Sequence, residues 1–360
     1  MTGQIAWIES LSPWPEEFGL ERMRRLLAEL GDPQLRFPSI HVVGTNGKST
    51  ATRTIAEFLR AEGLRVGAYT SPHVSGWHER LDCDPETFER AVARVRGSAE
   101  RLGATQFEVL TAAALTEFAE ANVDVAVVEA GLGGRLDATN VVDAPVVVLT
   151  NVGLEHTEVL GETIEEIARE KLAVAHAARV VVLSDNRHEG LVPAPADVVV
   201  GGAREAAEAF LGRPIEGEVA LSLPGRLERR DGEVRDGAHT AEAVRYIAPK
   251  LPPIGAIVSS LLEDKDADGV LRELARLARV FVATSSSNPR SRDADELAAL
   301  ARRQFSHVEA VVEPAEALVR GHELAGGATV LVTGSLYLLA DLHGESPPSS
   351  GAETYDASAR

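Results

Sequence analysis

The feature that most constrains this 360-residue chain is a glycine-bounded loop, Gly-Thr-Asn-Gly-Lys-Ser-Thr, at residues 44–50. An apolar, β-branched segment at 37–43 precedes it and predicts a buried strand. Apolar residues at helical spacing follow it between Ala51 and Ala61 and predict a helix. Glycines let backbone N–H groups approach an anion closely, and a helix N-terminus attracts negative charge. The order strand, loop, helix therefore predicts a phosphate-binding site; the simpler alternative is an ordinary glycine-rich βα turn.

Two residue types in this loop have a specific chemical use. Lys48 supplies a point charge for terminal phosphates, and Ser49 or Thr50 supplies a hydroxyl for Mg²⁺. The spacing is Gly-x-x-Gly-Lys, which is shorter than the Gly-x-x-x-x-Gly-Lys pattern of the commonest P-loop class. We therefore predict a phosphate-binding P-loop without assigning it to that class.

Composition excludes several kinds of protein. The net charge of −19 argues against general binding to nucleic acid or to an anionic membrane. No apolar run of 18 residues and no basic-then-apolar leader is visible, so we expect no membrane span and no secretory signal. The one cysteine, Cys83, cannot form an intramolecular disulfide, which is consistent with a cytoplasmic protein.

The chain alternates predicted strands and helices, which indicates an α/β fold with a parallel sheet. Predicted helices span 17–30, 85–102 and 108–121, and further predicted strands span 65–70, 123–129, 144–151 and 179–184. The pattern restarts after a turn-rich junction at 223–226, with strands predicted at 254–260, 280–284, 307–312 and 329–333. We therefore expect a P-loop domain at 1–223, a smaller α/β domain at 226–342 and a disordered tail at 344–360.

Three candidate ligand-binding residues follow predicted strands of the first domain, where the ligands of such sheets bind. Glu129 closes an apolar strand beside a glycine-rich loop and suits Mg²⁺, although a surface or capping role is the alternative. Ser71 could ligate metal or phosphate, or cap a helix. His156 lies in the loop after another strand, where most histidines are structural.

Lys171 lies on or beside the predicted apolar face of a helix. Thr163 and Glu166 form a capping-box pattern at the start of that helix. A lysine on such a face must either extend its ammonium to solvent or have a partner. The residues alone leave both possibilities open.

In the second domain, Asp236-Gly237-Ala238-His239 places an acid and an imidazole before a predicted helix at 241–248. Capping of that helix by Asp236 or Thr240 is the alternative. The segment Glu263-Asp264-Lys265-Asp266 has a solvated charge run as its simplest interpretation.

Together these motifs resemble the folylpolyglutamate synthase/dihydrofolate synthase family of Mur-type ATP-dependent amide ligases. The resemblance extends from about Leu20 to Ala340 and rests on eleven motifs in order, of which EAGLGGRLDATN is the most specific. The motifs are GTNGKST (44–50), TSPH (70–73), HER (78–80), TQFE (105–108), EAGLGGRLDATN (129–140), NVGLEHTEVLG (151–161), IAREK (167–171), PGRLE (224–228), DGAH (236–239), EDKD (263–266) and GSLY (334–337).

The resemblance implies a P-loop domain of the Mur-ligase central type followed by a smaller Rossmann-like α/β domain. It also implies a reaction in which ATP converts a pterin or folate carboxylate to an acyl phosphate that the amine of L-glutamate attacks. Gly44, Thr45, Asn46, Gly47, Lys48, Ser49 and Thr50 would hold the phosphates, and Ser71, Glu129 and His156 would ligate Mg²⁺. Lys171 matches a carbamylated lysine that helps to bind a second Mg²⁺.

For the second domain the resemblance implies that Arg226, Asp236 and His239 contact nucleotide. Lys48, Lys171 and His239 would be the catalytic residues. Closure of the domains about a hinge near 222–226 would bring them together, with L-glutamate in the cleft beside His239 and Ser335. We expect a cytoplasmic monomer without nucleic-acid or membrane partners.

The chain also departs from the family pattern. It lacks a short hairpin after the HER motif, has Glu155 where the family has Asp and Thr240 where it has Asn, and has Leu172-Ala173-Val174 where the family has Ala-Gly-Ile. Residues 186–204 contain no match to the family's adenine-contacting Asn, so we interpret the chain as a shortened member. Two alternatives remain: a ligase for a non-folate acid, and a nucleotide-binding protein without ligase activity.

Overall fold

The computed structural model describes residues 3–13, 15, 18–219, 221 and 223–343, which fall into two compact units. The first unit contains 3–73 and 77–221 of these residues, and the second contains 74–76 and 223–343. The predicted domain limits, 1–223 and 226–342, remain a proposal. The predicted tail at 344–360 lies outside the described residues.

The first unit is built on a six-stranded parallel sheet in the order β2-β3-β1-β4-β5-β6. The central strands are apolar and fully buried, as expected when helices cover both faces of a parallel sheet. The strands are β1 Ser39–Val43, β2 Val66–Tyr69, β3 Val125–Glu129, β4 Val146–Leu149, β5 Val180–Leu183 and β6 Asp197–Val200.

Eight helices surround this sheet in the described part of the first unit. Alternation along β1 separates the two faces: Ile40 and Val42 pack with residues of α3 and α8, whereas Val43 packs with α1, α2, α4 and α5. The helices are α1 Gly3–Ser10, α2 Glu21–Glu29, α3 Lys48–Ala61, α4 Pro85–Leu102, α5 Gln106–Glu120, α6 Thr157–Leu160, α7 Ile164–Leu172 and α8 Ala203–Leu211.

The second unit has a six-stranded mixed sheet in the order β11-β10-β9-β12-β8-β7, in which only β7 is antiparallel to its neighbour. Its strands are β7 Glu228–Arg230, β8 Glu233–Asp236, β9 Ile254–Ser259, β10 Val280–Ala283, β11 His307–Ala310 and β12 Thr329–Thr333. Its helices are α9 Ala241–Ile247, α10 Ala267–Leu274, α11 Ala294–Ala301, α12 Pro314–Ala325 and α13 Leu336–Asp341. Short 3₁₀ segments of the chain lie at 33–36, 77–81, 173–177, 186–191 and 248–250.

These elements confirm the predicted fold class, a parallel α/β domain followed by a second α/β domain. Several boundaries differ. The helix predicted at 17–30 begins at Glu21, and the strand predicted at 144–151 is limited to Val146–Leu149. Seven helices and strands were not predicted: α1, α6, β6, α8, β7, β8 and α13. Each has at most nine residues, which is too short to show a clear apolar period.

Candidate active site

The loop at 44–50 lies at the carboxyl end of β1 and leads directly into α3. Gly47 is the N-cap of α3 with a φ of 80°, and a side chain there would meet open space rather than protein. The helix therefore begins with exposed N–H groups beside room for a ligand, the arrangement that binds phosphate. The helix starts three residues earlier than its apolar spacing predicted, so Lys48 and Ser49 lie in its first turn.

The loop is fixed by the strand next to β1. Thr45 N donates to Asn151 O at 3.0 Å, and Asn46 N donates to Asn151 Oδ1 at 2.8 Å. Thr150 Oγ1 donates to Asn46 O at 2.7 Å. Sequence reasoning assigned no role to Asn151, whose position directly after an apolar strand was the available signal.

Lys48 extends over this loop. Its Nζ donates to Gly44 O at 3.0 Å and to Thr45 O at 3.3 Å. Both partners are neutral carbonyl oxygens. These two bonds therefore hold the Lys48 ammonium at the loop without neutralising its positive charge.

Glu129 closes β3 beside the loop, and its side chain is buried. Its Oε1 accepts from Ser49 Oγ at 3.1 Å and its Oε2 accepts from Ser71 N at 3.0 Å. Strands β1, β2 and β3 therefore bring together three residues that the sequence predicted for phosphate and metal binding. Ser71 contacts Glu129 through its backbone, so this structure shows no helix-capping role for it.

The donor set around Glu129 suits a hard cation. A buried carboxylate next to the Ser49 hydroxyl is an oxygen site of the kind Mg²⁺ takes, with waters and substrate phosphates completing its shell. Within the described residues no three His, Cys, Asp or Glu side chains form a group that could hold a metal ion. A cation at Glu129 would therefore depend on hydroxyls, water and nucleotide as well.

His156 lies on the surface as the N-cap of the short helix α6, in the left-handed region with a φ of 44°. Its role as a metal ligand remains a prediction. The residue before it, Glu155, contacts the predicted site, although the sequence marked it only as a departure from the family pattern.

Lys171 is buried, with 1% of its surface exposed, which rules out extension of its ammonium to solvent. Its Nζ lies 2.6 Å from Glu155 Oε1 and donates to Gly44 O at 3.0 Å. The predicted capping box is present, because Thr163 and Glu166 exchange hydrogen bonds at the start of α7. One residue assigned to the apolar face, Ile164, is exposed instead.

Burial and the neighbouring charges shift the pKa of each member of this pair in opposite directions. Burial lowers the pKa of the Lys171 ammonium, and the negative charge of Glu155 offsets only part of that effect. Burial also raises the pKa of the Glu155 carboxyl, but Lys171 and Lys48 outweigh it, so that this pKa is lowered overall. Both directions favour an ionised Glu155 and a lysine that loses its proton more easily than an exposed one.

The glycine-rich segment after β3 packs directly on α7. A side chain at Gly134 would lie 2.5 Å from Lys171 O and 2.7 Å from Glu170 O, which leaves room only for glycine. Asp137 holds the same segment by accepting from Leu132 N at 2.7 Å and Thr139 N at 3.0 Å. The glycine at 134 is therefore required for the segment that follows Glu129 to pack against the helix that carries Lys171.

In the second unit the Asp-Gly-Ala-His segment follows β8. Asp236 accepts from Leu227 N at 2.8 Å and Ala238 N at 2.9 Å, whereas Thr240 caps α9. Asp236 therefore fixes the segment and does not cap the helix. Burial lowers the pKa of His239, which is bonded through Nδ1 to Gly237 O, and raises the pKa of Asp236.

Arg226 donates to Gly225 O at 3.1 Å. Ser335 is the N-cap of α13 at the end of β12.

Asp266 of the predicted charge run caps α10, and Asp264 pairs with Lys265 at 3.1 Å. The run is therefore partly structural rather than simply solvated.

Comparisons with known proteins agree with this arrangement. A model of the Mur ligase middle domain matches residues 42–209, and a model of the Mur ligase glutamate ligase domain matches residues 225–336. A dihydrofolate synthase/folylpolyglutamate synthase of Mycobacterium tuberculosis is 31% identical over 81% of this chain and 80% of that protein. The chain belongs to the folylpolyglutamate synthase/dihydrofolate synthase family of ligases.

Solved structures of the family superpose over almost the whole chain. A Mycobacterium tuberculosis folylpolyglutamate synthase complexed with ADP has a TM-score of 0.85 and 28% identity, covering 96% of this chain and 98% of that one. A bifunctional folylpolyglutamate synthase/dihydrofolate synthase with Mn, AMPPNP and L-glutamate bound has a TM-score of 0.82 and 27% identity, covering 96% and 98%. Members of this family thus bind nucleotide, a metal ion and L-glutamate.

Some family members are longer. The chain matches only 28% of a probable bifunctional folylpolyglutamate synthase/dihydropteroate synthase of Halobacterium salinarum, at 40% identity over 58% of this chain. In the part of the chain that the structure describes, no helix is long and apolar enough to cross a membrane.

Proposed function

We propose that this protein joins L-glutamate to the carboxylate of dihydropteroate or of a folate, using ATP and Mg²⁺ through an acyl phosphate. The observation that carries the proposal is the buried Glu129 carboxylate, held by Ser49 Oγ and Ser71 N beside a loop whose helix N-terminus is open. A protein that only binds nucleotide has no need, in addition, for a buried lysine that is paired with Glu155 and bonded to the same loop.

The reaction needs no protein nucleophile. An oxygen of the acceptor carboxylate attacks the γ-phosphorus of ATP and ADP leaves; the glutamate amine then attacks the acyl carbon, and phosphate and one proton leave. The N–H groups of residues 44–50 and the Lys48 ammonium would stabilise the charge on the phosphates. Ser49, Ser71, Glu129 and His156 are the proposed ligands of Mg²⁺, which would neutralise phosphate charge when bound.

Lys171 is the proposed site of carbamylation. Only the neutral amine reacts with CO₂, and burial lowers the pKa of this lysine and so increases the neutral fraction. Addition of CO₂ to Nζ forms a carbamate and releases one proton. The new carboxylate would be an oxygen ligand for a second Mg²⁺.

In the second unit, Arg226 and Asp236 are proposed to bind nucleotide, and His239 is proposed to act in catalysis. Burial lowers the pKa of His239, so its imidazole is neutral near pH 7 and can accept a proton. We further propose that the protein is a cytoplasmic monomer.

The test is phosphate release with ATP, Mg²⁺ and L-glutamate, without an acceptor, with dihydropteroate and with tetrahydrofolate. Stimulation by dihydropteroate alone indicates dihydrofolate synthase, by tetrahydrofolate alone the polyglutamylating enzyme, and by both the bifunctional enzyme. Lys171→Ala should abolish turnover and leave ATP binding largely intact, whereas Arg169→Ala, on the exposed side of the same helix, should leave turnover unchanged. Absence of stimulation by either acceptor would contradict the proposal.

A further inference from the structure

The first unit contains a cavity of about 240 Å³ at the edge of its sheet opposite to the phosphate-binding loop. Three of its lining residues, Gln34, Val142 and His176, precede β1, β4 and β5, which are adjacent parallel strands. The loop at 44–50 instead follows the carboxyl end of β1. A strand of five residues, the length of β1, is about 16 Å long, so this cavity is separate from the proposed active site.

The cavity has room for much more than one ordered water molecule. A water molecule occupies about 30 Å³ in the liquid, and an apolar cavity of about 150 Å³ accommodates benzene. The volume here is about 240 Å³. An organic molecule of the size of a free amino acid therefore fits.

Gln34 shows that the cavity suits a hydrogen-bonding ligand. The residue is only 7% exposed, and its Nε2 donates to Asp32 Oδ1 at 3.2 Å. That bond fixes the orientation of the amide and makes Oε1 an acceptor. Oε1 is buried and has no hydrogen-bond partner among the described residues. Because a buried acceptor without a partner is unfavourable, Gln34 indicates a ligand that donates a hydrogen bond.

Two further acceptors line the same cavity. Asp32 is at the N-cap of the 3₁₀ segment 33–36, but its carboxylate accepts no backbone N–H there. Asn140 Nδ2 donates to Arg135 O at 2.9 Å, which leaves Oδ1 as the acceptor of that side chain. A carboxylate and two amide oxygens match an ammonium group, which is positively charged and has three N–H donors.

A positive charge and an apolar wall complete the lining. Arg24, on α2, lines the cavity, and its guanidinium has no ion pair or hydrogen bond within the part of the first unit that the structure describes. Asp32 lines the same cavity but does not neutralise this charge, so the guanidinium is available for a ligand carboxylate. Val141 and Val142 present apolar side chains to the cavity, which suit an aliphatic group.

We propose that this cavity binds a free α-amino acid with an aliphatic side chain. Asp32, Gln34 and Asn140 hold its ammonium group, and Arg24 holds its carboxylate. The site is distinct from the substrate sites of the proposed ligase, because it lies at the opposite edge of the sheet. The inference goes beyond the proposed function and does not depend on it.

The first test is binding of L-leucine to the full chain, measured by titration with saturation-transfer NMR. Two analogues isolate the two charged groups: 4-methylpentanoate lacks the ammonium, and 3-methylbutylamine lacks the carboxylate. Each should bind about tenfold or more weakly than L-leucine. L-Glutamate should not displace L-leucine, since an acidic side chain would face the Asp32 carboxylate. No binding of L-leucine, equal binding of all three compounds, or displacement by L-glutamate overturns the inference.

The second test compares variants of the lining residues. Gln34→Met keeps the volume of the side chain and removes the unpaired acceptor, and Arg24→Gln removes the charge at an exposed position of α2. Both should raise the Kd for L-leucine about tenfold or more. Arg25→Gln, at the next exposed position of the same helix and outside the cavity lining, is the matched control and should leave the Kd unchanged.

Unfolding in urea without ligand separates binding from folding. Gln34→Met removes a buried polar atom that has no partner in the described chain, so the variant should be no less stable than the wild type. If Gln34→Met does not fold, Arg24→Gln decides the question alone, because its side chain is exposed. Wild-type affinity for L-leucine in Arg24→Gln, or in a folded Gln34→Met, overturns the inference, whereas the expected loss in both variants supports it.

Discussion

Removing Glu155 from its ion pair with Lys171 should destabilise the protein more than removing Lys171. Lys171 is buried, whereas the Glu155 side chain is 23% exposed. Glu155→Gln leaves a buried ammonium whose remaining hydrogen bond is to the neutral Gly44 O at 3.0 Å. Removing one partner of a buried pair costs about 3–5 kcal/mol, and the partial exposure of Glu155 places this variant near 3 kcal/mol.

Lys171→Met should cost less. Methionine fills a similar volume without a charge, Glu155 can still be solvated, and Gly44 O retains a hydrogen bond from Lys48 Nζ at 3.0 Å. We expect a loss of about 1 kcal/mol, and a double variant no less stable than Glu155→Gln. For a unit of this size, 3 kcal/mol corresponds to a fall in Tm of about 6–12 °C.

The assay is thermal and urea unfolding of the four proteins, followed by near-ultraviolet circular dichroism in CO₂-free buffer without Mg²⁺, so that Lys171 is an amine. Equal losses for both single variants, or a larger loss for Lys171→Met, would refute the argument from unequal burial. A Glu155→Gln variant that is more stable than the wild type would show that Lys171 carries no positive charge in the folded protein.

Three further outcomes follow from individual contacts. Glu129→Gln should raise the Mg²⁺ concentration needed for half-maximal phosphate release by about tenfold or more, since it removes the buried carboxylate; an unchanged Mg²⁺ titration would contradict the metal site. Gly134→Ala should lower the free energy of unfolding by about 2 kcal/mol or more, because its Cβ would lie 2.5 Å from Lys171 O; a urea midpoint equal to that of the wild type would show that α7 can move away. Burial lowers the pKa of His41 from 6.5 to about 3, so the unfolded state binds more protons in this range, and stability should fall as pH falls from about 6.5 to about 3; His41→Gln should flatten that dependence in pH-dependent unfolding, and an equal slope would contradict it.

The elements that sequence predicted well are those with strong apolar patterns. The helix at 85–102 has the predicted limits, because Asp84 caps it and Gly103 ends it in the left-handed region. Strand β3 is apolar throughout and was placed within two residues. By contrast, β7 and β8 carry charged residues and are positioned by pairing with each other and with β12, which no local pattern reveals.

Some residues of the candidate site could likewise be predicted from the sequence, and others could not. Motif spacing placed Lys48, Ser49, Glu129 and Ser71 at strand ends, and parallel strands bring such ends to one edge, so their proximity could be expected. The partner of Lys171 could not be identified from its helix, because Glu155 is sixteen residues away across a left-handed turn at His156. Gln34 Oε1, which has no partner among the described residues, was also not predicted, since only the folded chain shows which polar atoms lack partners.

The substitution of Glu155 for the aspartate of the family pattern has a physical consequence at the lysine. Glutamate has one more methylene than aspartate, so its carboxylate reaches further from the backbone at the turn before α6. The Glu155 carboxylate lies 2.6 Å from Lys171 Nζ. The same Nζ also donates a hydrogen bond to a carbonyl oxygen of the phosphate-binding loop. A shorter side chain at 155 would leave Nζ with the loop carbonyl alone and would favour the neutral amine. Glu155→Asp should therefore increase the fraction of Lys171 that reacts with ¹³CO₂, measured by the carbamate signal in ¹³C NMR. A carbamate signal no larger than that of the wild type would show that Glu155 does not control the charge of this lysine.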